Sequence, residues 1–286
     1  MKYIVSPAKA HAEWEQGETA FVDCRFVLGQ PKAGREAYAA EHIPGAFYLD
    51  LEEDLSAPVR EDRAGGRHPL PDADVFAAKL TRLGIADGRR VIAYDDQGGA
   101  MAARLWWLLA YLGHDNACVL DGGFAAWKRE GYPTAGGSEK EPPKRSGAFI
   151  PRPRTDWVID AAGIEARRAA IAEGRVVLLD SREEVRYRGL SEPIDPVAGH
   201  IPGARHAFWK ANLDAEGRFR SVRELMKRFE PLQGAEEIIV YCGSGVTACP
   251  NVLALREAGF TNVKLYAGSW SDWVSNPSRP VERDGG

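Results

Sequence analysis

Short apolar runs alternate along this chain with longer stretches that have a helical pattern. Val91 to Tyr94 and Cys118 to Leu120 are two such runs, and a helical stretch from Ala102 to Leu112 separates them. This alternation predicts parallel strands connected by helices. We therefore expect an α/β fold in which a parallel sheet is flanked by helices.

Four blocks of sequence occur twice, in the same order. The matched pairs are Phe21-Val-Asp-Cys-Arg25 with Leu178-Leu-Asp-Ser-Arg182, His42-Ile-Pro-Gly-Ala46 with His200-Ile-Pro-Gly-Ala204, Val91-Ile-Ala-Tyr94 with Ile238-Ile-Val-Tyr241, and Gly122-Gly-Phe-Ala-Ala-Trp127 with Gly268-Ser-Trp-Ser-Asp-Trp273. Solenoid repeats run about 20–50 residues, so this spacing indicates a duplicated domain instead. We expect one domain over residues 1–133 and another over 151–286. The linker between them, 134–150, is rich in Gly, Pro and charge.

The sequence around Cys242 predicts a reactive cysteine. A β-branched apolar run ends at Tyr241, the loop Cys-Gly-Ser-Gly-Val-Thr follows, and a helix-compatible segment comes next. Such a loop aims backbone N–H groups, including those of Val246 and Thr247, at one point, where the helix N-terminus favours an anion. Gly243 and Gly245 keep side chains out of that point. The alternative is that Cys242 is an ordinary small buried residue.

Two other chemistries use a similar layout. Gly243-Ser-Gly245-Val-Thr-Ala248 matches the dinucleotide-binding pattern, but that site needs an acidic residue about 20 positions later, and the strand from Val263 to Tyr266 ends in Ala267. A cysteine phosphatase would need an arginine to close the loop on a phosphate, and Ala248 stands there. Neither alternative is favoured.

The two halves differ at the position of Cys242. The first half has Asp95 there, and a carboxylate cannot replace the thiolate nucleophile that Cys242 would supply. We therefore expect the first domain to be catalytically inactive. The repeated histidines and Arg182, which is repeated as Arg25, are interpreted as structural, as are the tryptophans, which we expect in the core.

Composition narrows the class of protein. The 286 residues carry a net charge of −4, which gives no reason to expect nucleic acid or a membrane as partner. The first 16 residues lack the apolar stretch of a signal peptide, so a cytoplasmic protein is expected. Cysteines 24, 118, 242 and 249 have neither a disulfide nor a zinc-site spacing. No metal is expected.

The loop CGSGVTA resembles the active-site loop of two-domain rhodanese-type sulfurtransferases, and of the 3-mercaptopyruvate sulfurtransferases in particular. The resemblance extends over nearly the whole chain. It implies two tandem rhodanese-like domains and no cofactor. It also implies that 3-mercaptopyruvate, a small-molecule sulfur donor, gives sulfur to Cys242, and that pyruvate leaves. The persulfide would pass its sulfur to cyanide or to a thiol, a thioredoxin-like protein included.

The same resemblance implies roles for individual residues. Arg186 matches an arginine that binds the substrate, although a surface ion pair with Glu183 or Glu184 is an alternative. Ser244, His68 and Asp50 match a serine, a histidine and an aspartate that are proposed to relay a proton. A second substrate arginine is expected near Glu192-Pro-Ile-Asp195, but Asp195 stands there. Arg188 is a possible substitute.

Two other functions stay open at this point. The first is a sulfurtransferase whose donor is thiosulfate, although relatives specific for thiosulfate tend to have Arg and Lys after the cysteine. The second is a non-catalytic pair of rhodanese-like domains that relays sulfur or binds a protein. The intact Cys242 in its glycine loop argues against the second.

Overall fold

A computed structural model of the chain describes residues 1–137 and 147–283. Two compact units are present. The first unit comprises Met1–Ala57, Pro71–Arg154 and Leu213–Phe219, and the second comprises Pro58–Leu70, Thr155–Asn212 and Arg220–Gly286. Each unit thus takes one short segment from the other half of the sequence. Residues 138–146 of the expected linker lie outside the described residues, and the boundaries at 133 and 151 remain a prediction.

The first unit contains a parallel sheet of five strands in the order β1-β5-β4-β2-β3. Its elements are β1 (Ile4–Val5), α1 (Pro7–Glu15), β2 (Ala20–Asp23), α2 (Ala33–Ala40), β3 (Phe47–Tyr48), α3 (Ala73–Arg82), β4 (Val91–Tyr94), α4 (Ala100–Tyr111), β5 (Ala117–Leu120) and α5 (Gly123–Arg129). The Ser6 hydroxyl accepts a hydrogen bond from Lys9 N at the start of α1, and Pro7 takes the first helical position.

The second unit contains a second parallel sheet of five strands, in the order β6-β10-β9-β7-β8. Its elements are β6 (Val158–Ile159), α6 (Ala161–Ala166), α7 (Arg168–Ala172), β7 (Val176–Asp180), α8 (Glu184–Tyr187), β8 (Arg205–His206), α9 (Val222–Phe229), β9 (Glu237–Tyr241), α10 (Cys249–Glu257), β10 (Val263–Tyr266) and α11 (Ser269–Trp273). Single 3₁₀ turns occur at Thr155–Trp157, Trp209–Asn212 and Glu230–Leu232.

The two sheets have the same strand order when the second is renumbered by five. The predicted α/β fold with two duplicated domains is confirmed. The central strand of the first sheet is β4, which precedes the loop that begins at Asp95. The central strand of the second sheet is β9, which precedes the loop that begins at Cys242. Because neighbouring parallel strands end at the same edge, the loops after β7 and β9 lie side by side, and this edge is where α/β folds place their sites.

The core of each unit consists of residues on the two faces of its sheet and of the tryptophans that were expected to be buried. Trp106, Trp107 and Trp127 are fully buried in the first unit, and Trp270 and Trp273 in the second. Trp270 and Trp273 pack with residues of β7 and β9 in one apolar cluster. The expectation that these tryptophans belong to the core is confirmed.

The repeated polar residues also have the structural roles that were expected. Arg25 and Arg182 each pair in a buried bidentate arrangement with the aspartate two positions earlier, at 2.6 Å in both units. The repeated histidines bond through Nδ1 to backbone carbonyl groups, His42 to Tyr38 at 2.7 Å and His200 to Tyr187 at 2.8 Å. None of the helices in residues 1–137 and 147–283 has the length and apolar character of a membrane crossing.

Candidate active site

The loop from Cys242 to Ala248 connects β9 to α10 in the second unit. Cys242 follows the buried strand directly and is itself buried. Its backbone is held from α11: Trp270 N donates to Cys242 O at 3.0 Å, and Ser271 N donates to Gly243 O at 3.0 Å. Val246 is buried, Thr247 is half-buried, and Cys249 N donates to Val246 O at 3.0 Å as α10 begins. The predicted strand, loop and helix around Cys242 are confirmed.

Ser269 provides a further support for the cysteine. The amide of Cys242 donates to Ser269 Oγ at 3.1 Å, and that hydroxyl donates to Tyr266 O at 2.9 Å. Ser269 has a positive φ of 56°, which costs a residue other than glycine on the order of 1 kcal/mol. The corresponding residue of the first unit is Gly123, with a φ of 59°. The serine therefore accepts a backbone strain that glycine avoids, and it supplies an acceptor that glycine lacks.

The two glycines of the loop are required for different reasons. Gly245 has a φ of 75°, and a Cβ atom there would lie 2.2 Å from the carbonyl oxygen of Ala267. Gly243 has no positive φ, but a Cβ atom there would lie 3.0 Å from Nη2 of Arg67 and 3.5 Å from Nη2 of Arg186. Gly245 thus sets the path of the loop, whereas Gly243 leaves room for two guanidinium groups beside Cys242.

Ser244 and His68 are brought together in the second unit. The imidazole Nδ1 of His68 lies 2.8 Å from Ser244 Oγ, although the two residues are 176 positions apart, and both side chains are buried. This contact exists because the segment Pro58–Leu70 belongs to the second unit. Depending on its tautomer, the imidazole can accept the hydroxyl proton or donate its own. Ser244, two positions after Cys242, is therefore hydrogen-bonded to a titratable group, the imidazole of His68.

Arg186 is near the loop but is not a free cation. Its Nη2 lies 2.7 Å from Oε1 of Glu192 and 3.4 Å from Oδ2 of Asp195, and its Nε lies 3.0 Å from Oε2 of Glu192. The alternative of an ion pair with Glu183 or Glu184 is wrong, because the turn of α8 directs Arg186 toward the segment that follows that helix. Arg188 is the residue that pairs with Glu184, at 3.8 Å.

Asp50 belongs to the first unit, where its carboxylate is held by several donors. The hydroxyl of Tyr48 donates to Oδ2 at 3.0 Å, and the amides of Glu52 and Glu53 donate to Oδ1 at 2.7 and 3.1 Å. Burial and the Asp50 carboxylate raise the pKa of Tyr48 above its ordinary value, so this phenol stays protonated. The role of Asp50 in orienting His68 remains a prediction.

Asp95, the residue of the first unit that corresponds to Cys242, illustrates what such a loop does to an anion. Its buried carboxylate accepts hydrogen bonds of 2.8 to 2.9 Å from four backbone amides, those of Gln97, Gly99, Met101 and Ala102. Burial raises the pKa of Asp95, and these four donors oppose that rise. The loop after the central strand of the first unit is therefore filled by its own carboxylate.

The other three cysteines lie beside carboxylate or backbone carbonyl groups. Burial raises the pKa of Cys24 well above its ordinary value, and the nearby carboxylate of Asp23 adds to this effect. The thiol of Cys249 lies 3.3 Å from Gly245 O, and the thiol of Cys118 lies 3.4 Å from Lys2 O. All three are buried.

Arg67 and Ser269 lie at the loop but were not predicted from the sequence. Arg67 directly precedes His68, so a cation next to a candidate proton carrier was a signal within the sequence. Ser269 replaces the second glycine of the repeated block that begins at Gly122 and Gly268. Comparing the two halves position by position, rather than block by block, would have revealed this exchange.

Comparison with known proteins agrees with this architecture. The family model described as "Rhodanese-like domain" matches the chain twice, over residues 6–130 and 165–276. A protein of Pseudomonas aeruginosa named probable 3-mercaptopyruvate sulfurtransferase is 47% identical over 97% of this chain and 97% of its own length. A putative thiosulfate sulfurtransferase of Mycobacterium tuberculosis is 36% identical over 92% of this chain and 90% of its own.

Solved structures give the same result. The crystal structure of a 3-mercaptopyruvate sulfotransferase from Escherichia coli has a TM-score of 0.80 and 29% identity, and the match covers 95% of this chain and 100% of that one. Two rhodanese-like domains therefore account for most of the residues. The chain belongs to the rhodanese family, as a sulfurtransferase with two rhodanese-like domains.

Proposed function

We propose that this protein transfers a sulfur atom from 3-mercaptopyruvate to Cys242, releases pyruvate, and passes the sulfur from the Cys242 persulfide to a thiol or to cyanide. Thioredoxin-like proteins are candidate acceptors because they present an accessible thiolate. The observation that carries the proposal is the contact of 2.8 Å between His68 Nδ1 and Ser244 Oγ, two residues from the cysteine. It supports the proposal because sulfur transfer from mercaptopyruvate requires a proton carrier near the cysteine.

The first step is nucleophilic attack by the Cys242 thiolate on the thiol sulfur of mercaptopyruvate. A sulfur–sulfur bond forms, the carbon–sulfur bond breaks, and its electron pair stays on carbon as the enolate of pyruvate. The product on the enzyme is a persulfide that keeps the proton of the donor's thiol. The glycine loop supports this step, since Gly243 and Gly245 leave space beside the cysteine for a second sulfur atom.

The enolate must then take up a proton. Ser244 is suited to donate one, because its hydroxyl contacts an imidazole that can replace the lost proton. Asp50 is proposed to hold that imidazole in the productive orientation, a role that rests on the family resemblance. One proton enters for each pyruvate released, so the step is balanced without any further reactant.

The persulfide is proposed to be stabilised by backbone amides of residues 243–247. The support comes from the first unit, where four amides of the matching loop hold the Asp95 carboxylate. The first unit offers no thiol at this position, so we assign catalysis to the second unit. Arg186 is proposed to attract the donor's carboxylate, since its guanidinium lies next to Gly243.

Thiosulfate is the second candidate donor, and one observation favours it. The sequence shows no cation among Gly243, Ser244 and Gly245, but the guanidinium groups of Arg67 and Arg186 both lie next to Gly243. Two cations suit a dianion. The relative from Mycobacterium tuberculosis is named for this donor. A non-catalytic pair of domains is not favoured, because Cys242 lies two positions before Ser244, whose hydroxyl contacts His68.

The test is a side-by-side measurement of kcat/KM with mercaptopyruvate and with thiosulfate, combined with the intact mass of the protein after each donor. We expect the higher kcat/KM with mercaptopyruvate and a gain of one sulfur atom that cyanide removes. A protein that gains no sulfur from either donor would refute the proposed reaction. A higher kcat/KM with thiosulfate would instead reverse the order of the two donors.

A further inference from the structure

Arg186 has little capacity left for a substrate carboxylate. A guanidinium binds a carboxylate best through the edge formed by Nε and one Nη, which gives two parallel hydrogen bonds. Arg186 uses this edge, Nε and Nη2, for the two oxygens of Glu192, at 3.0 and 2.7 Å. Among residues 1–137 and 147–283 no partner is found for its Nη1. Arg186 can thus offer one nitrogen, but not the bidentate edge.

Arg67 has the opposite arrangement. Its Nη1 pairs with Oδ1 of Asp195, and its backbone amide donates to Ser271 Oγ at 3.1 Å. Its Nε is buried and has no hydrogen-bond partner in the described part of the chain. Its Nη2 would lie 3.0 Å from a Cβ on Gly243. The bidentate edge of Arg67 is therefore not occupied by a carboxylate of the described residues, and its Nη2 end faces the residue after the nucleophile.

A buried donor without a partner has a definite cost. Leaving an N–H group of this kind unsatisfied destabilises the fold, and more so when the group is charged. Such a cost is commonly retained where a ligand supplies the missing acceptor. Arg182 shows what the same edge does in this protein, since its Nε and Nη2 bind the carboxylate of Asp180 at 3.1 and 2.6 Å.

Asp195 links the two arginines beside the loop. Three arginines and three carboxylates alternate in one chain of ion pairs, in the order Asp180, Arg182, Glu192, Arg186, Asp195, Arg67. The carboxylate of Asp195 is almost fully buried and contacts Arg67 with one oxygen and Arg186 with the other. It therefore fixes the distance between the two guanidinium groups, and Arg67 is the cationic end of the network.

We propose that Arg67 is the principal binding residue for the donor's carboxylate, through Nε and Nη2, with Nη1 of Arg186 as the second contact. This inference rests on the proposed function, because it assigns the anion-binding site of that reaction. It also gives a reason for the aspartate at position 195. The second cation comes from the segment Pro58–Leu70, and an acidic residue is needed at position 195 to hold it against Arg186.

The test compares Arg67→Gln with wild type on two donors that differ by one carboxylate. Mercaptoacetone has a methyl group where mercaptopyruvate has its carboxylate, so it reports sulfur transfer without the proposed contact. For mercaptopyruvate, Arg67→Gln should raise KM by about 10- to 100-fold and leave kcat nearly unchanged, since the carboxylate does not react. For mercaptoacetone, kcat/KM should stay within about threefold of wild type. Arg67→Lys should recover only part of the loss, because lysine restores the charge but not the planar edge.

Arg60→Gln is the matched control. Arg60 is in the same segment, is exposed, and pairs only with the nearby Asp62 in the described structure. Its replacement should therefore leave KM and kcat unchanged with both donors. An Arg67→Gln variant with unchanged KM for mercaptopyruvate would overturn the proposal. Equal losses with both donors would also overturn it, since they would place Arg67 in the fold or in the shared chemical step.

The same variants distinguish this inference from the proposed function. If the wild type gains sulfur only from thiosulfate, the proposed donor is wrong, yet the role of Arg67 in anion binding is still tested by that dianion. KM for thiosulfate should then rise about 10-fold or more in Arg67→Gln. An unchanged KM for thiosulfate would refute the role of Arg67 in that case as well.

Discussion

Ser244→Ala separates the two steps of the proposed reaction. The substitution removes the hydroxyl that lies 2.8 Å from His68 Nδ1 and leaves the thiol and the glycines of the loop in place. With mercaptopyruvate, the leaving group is an enolate that must be protonated. With thiosulfate, the leaving group is sulfite, which departs as a stable anion and needs no proton. A residue that delivers a proton should therefore matter for one donor and not for the other.

The magnitude follows from the size of general acid catalysis. A positioned proton donor contributes about 100- to 10,000-fold to a rate, which is about 3–5 kcal/mol of transition-state stabilisation. We expect kcat with mercaptopyruvate to fall by that factor in Ser244→Ala. With thiosulfate, kcat/KM should change by less than about fivefold. The cost to the fold is limited to one buried hydrogen bond, about 1 kcal/mol.

The assay is the rate of a single turnover with each donor in turn, followed as the pyruvate released from mercaptopyruvate and as the sulfite released from thiosulfate. Ser181→Ala is the matched control. Ser181 is a buried serine of the same unit, and its Oγ accepts a hydrogen bond of 2.8 Å from Asn251. An equal loss with both donors would refute the assignment of Ser244 as proton donor, and so would an undiminished rate with mercaptopyruvate.

Three further predictions test the nucleophile, the loop and the segment that carries His68. Cys242→Ser should abolish turnover, whereas Cys24→Ser and Cys118→Ser should retain it; a sulfur gain that persists in Cys242→Ser, measured by intact mass, would contradict the assignment. Gly245→Ala should lower the free energy of unfolding, measured by urea denaturation, by about 2–5 kcal/mol, because the strain of a positive φ and the clash with Ala267 O add together. Gly234 has a φ of 86° and open space around it, so Gly234→Ala should lower the free energy of unfolding by only about 1–2 kcal/mol. A fragment from Pro151 onward lacks Arg67 and His68 and should lose most of its kcat/KM; full activity in that fragment would show that neither residue is needed.

The sequence determined the parts of this protein that depend on local pattern. Short apolar runs separated by helical stretches predicted the parallel sheets, because strand and helix periodicity is encoded by neighbouring residues. The repeated blocks predicted two domains of one architecture, and the glycines around Cys242 predicted the strand, loop and helix that hold it. Asp95 at the matching position predicted a first domain without a nucleophile. These conclusions needed no knowledge of which residues meet in space.

Only the tertiary structure decided which distant residues meet at the loop. His68 contacts Ser244 across 176 positions because a segment of the first half belongs to the second unit, and no local pattern encodes that path. The same path places Arg67 against Gly243 and Asp195. Asp195 was therefore misleading in the sequence, where it marked only a missing arginine. In the fold it forms an ion pair with Arg67, because such a pair depends on where two oppositely charged side chains meet and not on their identities alone.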